Sequence, residues 1–129
     1  MAHKVLIVDD SRIVRKALCK ALGMTQCDLL DPLEAGNGKE ALEVLAEESV
    51  DLVFLDINMP IMNGVEFLER VRSDEQLKTL PVVIVSTEVS HLRLQRLQEL
   101  GIHAQLRKPF TPELLTETVT NILGESNGQ

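Results

Sequence analysis

The amino-acid sequence predicts a single α/β domain, in which a parallel β-sheet is covered by helices on both of its faces. The length of 129 residues fits one domain. Short apolar runs alternate with amphipathic segments along the chain, and this alternation is typical of parallel strands joined by crossover helices. The apolar runs are apolar on both strand faces, as strands buried inside an α/β protein are.

Five apolar runs are predicted as strands. The first, third and fourth are the most apolar, and the fifth is short and mixed. The second contains Pro32, which cannot donate a hydrogen bond to a ladder, so we expect this strand at an edge of the sheet. In chain order the predicted strands cover residues 4–9, 29–35, 50–56, 82–86 and 102–107.

Five segments have apolar residues three and four positions apart and are predicted as helices. They cover residues 11–22, 39–48, 64–73, 88–100 and 111–123. The first helix has one apolar face, formed by Ile13, Val14, Ala17, Leu18, Ala21 and Leu22. Thr111 followed by Pro112 is a typical helix start. We therefore expect a domain over residues 1–123 and a flexible tail over 124–129.

Composition and charge exclude several classes of function. The chain has 13 Lys and Arg against 20 Asp and Glu, and its net charge of −7 argues against binding nucleic acid or an anionic membrane by itself. No stretch approaches the roughly 18 apolar residues of a membrane span. Cys19 and Cys27 are too few for a disulfide framework or a four-thiolate zinc site. We expect a cytoplasmic protein with reduced thiols.

Polar side chains follow four of the predicted strands, at the edge where open α/β sheets bind ligands. Asp9 and Asp10 end the first strand, Asp56 ends the third, Ser86 ends the fourth, and Lys108 follows the fifth. Each of them alone is common as a helix cap or a solvated side chain. Their occurrence together at the ends of separate strands is what indicates a site.

Three carboxylates in one crevice need a compensating positive charge. Two unit charges about 4 Å apart repel by roughly 4 kcal/mol at an effective dielectric constant near 20. Oxygen ligands without His or Cys favour Mg²⁺, with Mn²⁺ as the alternative. Lys108 and the hydroxyl of Ser86 suit the oxygens of a phosphoryl group, and a carboxylate is an established nucleophile for its transfer. The pattern therefore predicts a site that receives a phosphoryl group.

Four motifs in order resemble the receiver domain of bacterial two-component response regulators, most closely the single-domain, CheY-like type. The resemblance covers essentially the whole chain. The motifs are VLIVDDS at 5–11, LVFLDINMPIMNG at 52–64, PVVIVST at 81–87 and LRKPF at 106–110. The resemblance implies a flavodoxin-like, doubly wound fold with strand order 2-1-3-4-5. That order agrees with an edge position for the strand that contains Pro32.

The resemblance also implies a phosphorylation-dependent signalling switch. Asp56 would accept a phosphoryl group from a histidine kinase or phosphotransfer protein, in a Mg²⁺-dependent reaction. Ser86 and Lys108 would bind the phosphoryl oxygens, and the bond between Lys108 and Pro109 would be cis. Such a protein catalyses only its own phosphorylation and dephosphorylation and is not an enzyme acting on a metabolite.

Metal ligation and phosphoryl lifetime are likewise implied by the resemblance. Asp10, Asp56 and the backbone carbonyl of Asn58 would ligate the metal, and Asp9 would act largely through water. Asn58 and Glu88, two residues after Asp56 and Ser86, would influence how quickly water removes the phosphoryl group. The Asn and Glu pair is similar to that of chemotaxis receivers with fast turnover.

The switch position departs from the family pattern. Three residues before Lys108 the family usually has Tyr or Phe, whereas this chain has Gln105. We expect Ser86 and Gln105 to form the switch without an aromatic ring. The coupling would then run through the loop after Ser86 and the fourth helix.

The implied output surface is formed by the fourth helix, fifth strand and fifth helix. Leu94 is expected there as an exposed apolar residue between Arg93 and Arg96, with Gln105 and Arg107 facing the same patch. The patch would bind a downstream target protein or output domain, or a second copy of the chain in a phosphorylation-linked homodimer. Binding there should be sensitive to salt.

Three other functions remain open at this point. A phosphatase of the haloacid dehalogenase type would carry an Asp where this chain has Ser11. A flavodoxin-like electron carrier would need aromatic residues around its flavin, and the chain has neither Trp nor Tyr. A receiver that no longer depends on phosphorylation is supported only by Gln105.

Overall fold

The computed structural model describes residues 2–25, 27–87 and 89–124. Its strands and helices alternate as the sequence predicts. The strands are β1 (Val5–Val8), β2 (Leu33–Ala35), β3 (Leu52–Leu55), β4 (Val82–Ser86) and β5 (Ala104–Arg107). The helices are α1 (Arg12–Leu22), α2 (Gly38–Glu47), α3 (Gly64–Ser73), α4 (His91–Leu100) and α5 (Pro112–Leu123).

The five strands form one parallel sheet in the order β2-β1-β3-β4-β5. Every residue of β1, β3 and β4 is buried, which confirms that these apolar runs are covered on both faces. The edge position of β2 is also confirmed. The prediction that β2 begins at residue 29 is wrong, because the proline at 32 interrupts the ladder and leaves only an isolated bridge between His3 and Leu29.

The two faces of the sheet have separate cores. On one face, Leu6 and Leu55 belong to a cluster with residues of α2, α3 and α4, including Phe67. On the other face, Ile7 and Phe54 belong to a cluster with residues of α1 and α5. The alternation of side chains along each buried strand therefore supplies both cores, and the predicted helices on both faces are confirmed.

A side chain caps the N-terminus of each helix and accepts a hydrogen bond from a backbone N–H of the first turn. The caps are Ser11, Asn37, Asn63, Ser90 and Thr111. The cap at Ser90 makes α4 begin at His91, so the predicted start at residue 88 is wrong. Residue 88 itself, Glu88, lies outside the described residues.

The apolar face predicted for α1 is wider than the surface that it buries. Leu18, Ala21 and Leu22 are buried, whereas Ile13 is 83% exposed and Ala17 is exposed as well. The two ends of the helix therefore differ, because only its second half packs fully on the sheet.

Within the described ranges, no helix is both long and apolar enough to cross a membrane. Cys19 and Cys27 are free thiols, in agreement with the sequence prediction. The cytoplasmic location stays a prediction.

Candidate functional site

The carboxyl ends of β1 and β3 bring the predicted acidic residues together. The parallel register places Val8 beside Leu55, and the backbone N–H of Asp56 donates to the Val8 carbonyl at 2.9 Å. As a result, one carboxylate oxygen from each of Asp9, Asp10 and Asp56 lies within 4.8 Å of the others. The predicted convergence of three carboxylates is confirmed.

Asp56 is buried at 7% exposure, next to Asp9 at 2%. Burial raises the pKa of Asp56, and the negative charge of Asp9 raises this pKa further. Lys108 and a hydrogen bond from the backbone N–H of Ile57, at 2.9 Å, act in the opposite direction. The net effect is a raised pKa, so the charged form of Asp56 is disfavoured in this structure.

Lys108 supplies the positive charge of the cluster. Its Nζ donates to Asp9 Oδ2 at 3.0 Å and lies 3.8 Å from Asp56 Oδ1. Its backbone N–H donates to the Ser86 carbonyl at 2.8 Å, which fixes the loop after β5 against the end of β4. The bond between Lys108 and Pro109 is cis, as the resemblance implies.

Ser86 contributes a hydroxyl that has no hydrogen-bond partner within the described part of the chain. The residue is 2% exposed and ends β4, the strand next to β3. A buried hydroxyl left unpaired costs about 1 to 3 kcal/mol, so native proteins rarely keep one without a reason. The unpaired hydroxyl is available to a ligand bound at the carboxyl edge.

The donor set of this edge fits a hard divalent cation. Asp9, Asp10 and Asp56 offer oxygen atoms only, which is the chemistry that Mg²⁺ and Mn²⁺ prefer over zinc. Asp10 is exposed while the other two are buried, so the cluster opens to solvent on one side. Asn58, the fourth predicted ligand residue, is exposed in the loop after β3.

Gly64 is a positioning residue that the sequence reasoning did not single out. A Cβ at this position would lie 2.5 Å from the carbonyl oxygen of Asp56 and 2.9 Å from the Cα of Ile57. Only glycine therefore lets α3 begin directly against the backbone of Asp56. In the sequence, Gly64 is the last residue of the motif at 52–64, and this position could have indicated its role.

The predicted partner surface is only partly as expected. Gln105 and Arg107 are exposed on the same face of β5, as predicted. The expectation of an exposed Leu94 is wrong, because Leu94 lies three residues before the buried Leu97 and shares its face. The exposed leucine of α4 is Leu92, at 76%.

The two predicted arginines of α4 have different surroundings. Arg93 donates to the side-chain oxygen of Asn58. Arg96 pairs with Glu69 at 3.0 Å and with Glu99 at 3.5 Å. Only Arg93 therefore connects α4 to the loop beside Asp56.

An apolar groove beside the acidic cluster was also missed. It measures about 610 Å³ and lies between α1 and the loop before α5. Lys108 lines it together with Pro109 and Phe110, and the exposed Ile13 and Met24 line its other side. The exposure of Ile13, which belongs to the predicted apolar face of α1, is visible only in the folded chain.

Fold and site together define a class of protein: a doubly wound α/β module whose acidic carboxyl edge carries a lysine and an unpaired hydroxyl. The family model described as the response regulator receiver domain matches residues 5–120. The chain belongs to this family and therefore to two-component phosphoryl-transfer signalling.

Relatives across several bacteria support this membership. A CheY homologue of Campylobacter jejuni is 35% identical over 98% of this chain and 96% of its own length. The chemotaxis protein CheY of Pseudomonas aeruginosa is 37% identical over 97% of this chain and 99% of its own. The solved structure of CheY4 of Vibrio cholerae is similar with a TM-score of 0.83 and 34% identity, over 95% of this chain and 99% of that one.

Proposed function

We propose that this protein is a signalling switch that accepts a phosphoryl group on Asp56 from a histidine kinase or phosphotransfer protein. The observation that carries the proposal is the position of Asp56. It is buried at the carboxyl edge, 3.8 Å from the Lys108 ammonium group and within 4.8 Å of two further carboxylates. A carboxylate oxygen of Asp56 would form the new bond to phosphorus while the bond to the donor's imidazole nitrogen breaks.

The acidic cluster would hold the cation on which this transfer depends. Asp10, Asp56 and the Asn58 carbonyl are the proposed ligands, and Asp9 acts through water. Mg²⁺, or Mn²⁺ in its place, would supply positive charge that offsets the carboxylates and the phosphoryl oxygens. The donor set of oxygen atoms alone supports this assignment.

Lys108 and Ser86 would bind the phosphoryl oxygens once the group is attached. The Lys108 ammonium group is held by Asp9 and is close enough to Asp56 to pair with an oxygen attached there. The Ser86 hydroxyl, which has no partner among the described residues, would gain one from an oxygen of the phosphoryl group. Such contacts, made in one state and absent in the other, shift the equilibrium towards an active conformation.

The signal would leave the molecule through α4, β5 and α5. Ser86 pairs in register with Arg107, so a movement of Ser86 reaches β5 directly. Gln105, in place of an aromatic switch residue, lies on the same exposed face as Arg107. We propose that this surface, on which Leu94 is half-buried, binds a downstream target protein, an output domain or a second copy of the chain.

The protein would act on no metabolite and catalyse only its own phosphorylation and dephosphorylation. Asn58 and Glu88 are proposed to set the rate at which water removes the phosphoryl group. Asn58 lies two residues after Asp56 in an exposed loop, which supports access of its side chain to that water. The role of Glu88 stays a prediction.

A protein donor would dock on the apolar groove beside Lys108. The donor's histidine must reach Asp56, and the groove adjoins this site because Lys108 lines both. Ile13 offers an exposed apolar side chain that the domain's own core does not use. An apolar face of a donor helix is the chemistry that fits this surface.

The test is phosphorylation by acetyl phosphate in the presence of Mg²⁺, followed by the mass of the intact protein. The wild-type chain should gain one phosphoryl group and the Asp56→Asn variant none. Asp31→Asn is the matched control, because it removes an exposed carboxylate elsewhere and should be labelled like the wild type. Equal labelling of Asp56→Asn and wild type would contradict the assignment.

A further inference from the structure

One side chain connects the loop after β3 to the helix after β4. Arg93 lies in the first turn of α4, where its backbone N–H donates to the Ser90 hydroxyl at 3.2 Å. Its guanidinium group reaches across to donate to Asn58 Oδ1. Asn58 is only two residues from Asp56, so α4 is joined to the loop beside the phosphoryl-acceptor residue.

This contact fixes the orientation of the Asn58 amide. A guanidinium group has donors and no acceptor, so the atom that faces Arg93 must be the amide oxygen. The hydrogen bond is assisted by the charge of Arg93, which makes it stronger than a bond between neutral groups. Arg93 therefore occupies one of the two acceptor positions of the Asn58 oxygen and holds this oxygen towards α4.

The surroundings of Arg93 favour this contact over its alternatives. Glu66 lines the same groove, but its carboxylate accepts a hydrogen bond from the backbone of Asn63 in a capping box. Among the described residues, no carboxylate lies within ion-pair distance of Arg93, whereas Arg96, one turn further along, has two. Arg96 therefore has the same charge and the same helix without the contact to Asn58.

We propose that Arg93 is a positioning residue that lengthens the lifetime of the phosphoryl group on Asp56 by holding the Asn58 side chain. This inference rests on the proposed function. In the hydrolysis, the oxygen of a water forms a bond to phosphorus as the bond between phosphorus and the Asp56 oxygen breaks. The products are the Asp56 carboxylate, inorganic phosphate and a proton released to solvent. A free Asn58 oxygen can move to accept a hydrogen bond from that water and orient it, and Arg93 opposes this by holding the oxygen towards α4.

The experiment measures how fast the phosphoryl group is lost. Wild type, Arg93→Ala and Arg96→Ala are phosphorylated with acetyl phosphate and Mg²⁺, the donor is removed, and the phosphorylated fraction is followed by intact mass. Arg93→Ala should lose the group about three- to tenfold faster, the range that one exposed, charge-assisted hydrogen bond supports. Arg96→Ala should match the wild type, and Arg93→Lys should restore part of the lifetime.

A double-mutant cycle separates this role from a general effect of charge or of folding. Asn58→Ala keeps the backbone carbonyl and removes the oxygen that Arg93 holds, so adding Arg93→Ala to it should produce no further acceleration. An unchanged lifetime in Arg93→Ala, an equal acceleration in Arg96→Ala, or the same factor in both Asn58 backgrounds would overturn the inference. A wild-type chain that takes up no phosphoryl group would overturn the proposed function as well, whereas a phosphorylated one with an unaffected Arg93→Ala overturns this inference alone.

Discussion

The parallel strands all begin at one edge of the sheet, the amino edge, and all end at the other, the carboxyl edge. Both of these edges hold partly buried charged side chains, but they differ in whether these side chains have hydrogen-bond partners. At the amino edge, Arg72 of α3 donates to four backbone carbonyls. The acceptors are those of Leu100, Lys78, Leu80 and Gly101, at 2.7 to 3.0 Å. Burial lowers the pKa of Arg72 from a value so high that the group stays charged at neutral pH.

At the carboxyl edge the balance is different. Asp9 and Asp56 are both buried, and the same Lys108 ammonium group lies close to both carboxylates. The Ser86 hydroxyl is buried without a partner in the described structure. At the amino edge, four of the five N–H donors of Arg72 therefore have acceptors. At the carboxyl edge, two buried carboxylates share one lysine, and the Ser86 hydroxyl has no partner among the described residues.

The presence or absence of hydrogen-bond partners distinguishes charged groups with a structural role from those with a functional role in this molecule. A buried charge whose donors all have acceptors holds its neighbours in one arrangement and has no capacity left for a ligand. Crowded like charges and an unpaired hydroxyl lower stability unless a cation and an anionic group arrive. We therefore expect substitutions that remove these polar groups to lower the free energy of unfolding at the amino edge, and to leave it unchanged or raise it at the carboxyl edge.

Removal of the Arg72 side chain should have the largest effect on stability. Arg72→Ala leaves four carbonyls without their donor, and we expect the free energy of unfolding in urea to fall by about 2 to 4 kcal/mol. Arg72→Lys should recover a part of this loss. Phosphorylation of Asp56 by acetyl phosphate should persist in both variants, and a loss of unfolding free energy below about 0.5 kcal/mol would contradict the structural role.

Substitution of Ile13 should slow phosphoryl transfer from a protein donor without changing the stability of the fold. Because the side chain is 83% exposed, Ile13→Ser should leave the free energy of unfolding nearly unchanged. Phosphorylation from a phosphohistidine protein should slow by about tenfold, the effect of losing one apolar anchor at an interface. The rate with acetyl phosphate is the internal control, and an equal slowing with both donors would contradict docking at this groove.

A smaller effect, close to zero, is expected at Ser86. Ser86→Ala removes a hydroxyl that has no partner, so the free energy of unfolding should stay the same or rise by up to about 1 kcal/mol. Thr118→Val is the matched comparison, because that buried hydroxyl donates to the Leu114 carbonyl at 2.9 Å and its loss should cost about 1 kcal/mol. Equal losses in the two variants would show that Ser86 has a partner in solution.

Much of the fold follows from local pattern, and the exceptions have physical causes. β1, β3 and β4 were predicted because strands buried on both faces are apolar throughout. The predicted start of β2 was wrong because Pro32, which indicated an edge strand, also ends the ladder and confines the strand to residues 33–35. This error lies in an edge strand, where fewer neighbours constrain the chain.

The site was predictable as far as topology alone determines it. Asp9 and Asp56 meet because they follow the neighbouring parallel strands β1 and β3, and this needs no knowledge of side-chain conformation. Lys108 follows β5, two strands away from β3, and reaches the two carboxylates with its long side chain. The contacts of Arg93 and Arg72 join residues up to 35 positions apart through long side chains, and no local pattern encodes them. Leu94 was assigned to the surface because α4 has leucines at several spacings; in the folded chain Leu97 is buried, Leu94 is half-buried and Leu92 is exposed.

We propose that the carboxyl edge is destabilised by its own charge until a cation binds. The measurement that tests it most directly is the free energy of unfolding of wild type and Asp56→Asn, with and without Mg²⁺. Folding raises the pKa of Asp56, so this group favours the folded state at low pH, and the advantage disappears as the pH rises through the raised pKa.

Without Mg²⁺ at neutral pH, Asp56→Asn should therefore be more stable than wild type by about 1 to 2 kcal/mol, because it removes a crowded buried charge. The difference should shrink as the pH falls towards the unfolded carboxyl pKa of about 3.9. Saturating Mg²⁺ should stabilise the wild type and reduce the advantage of the variant. A variant less stable than wild type without Mg²⁺, together with equal stabilisation of both proteins by the cation, would contradict the account.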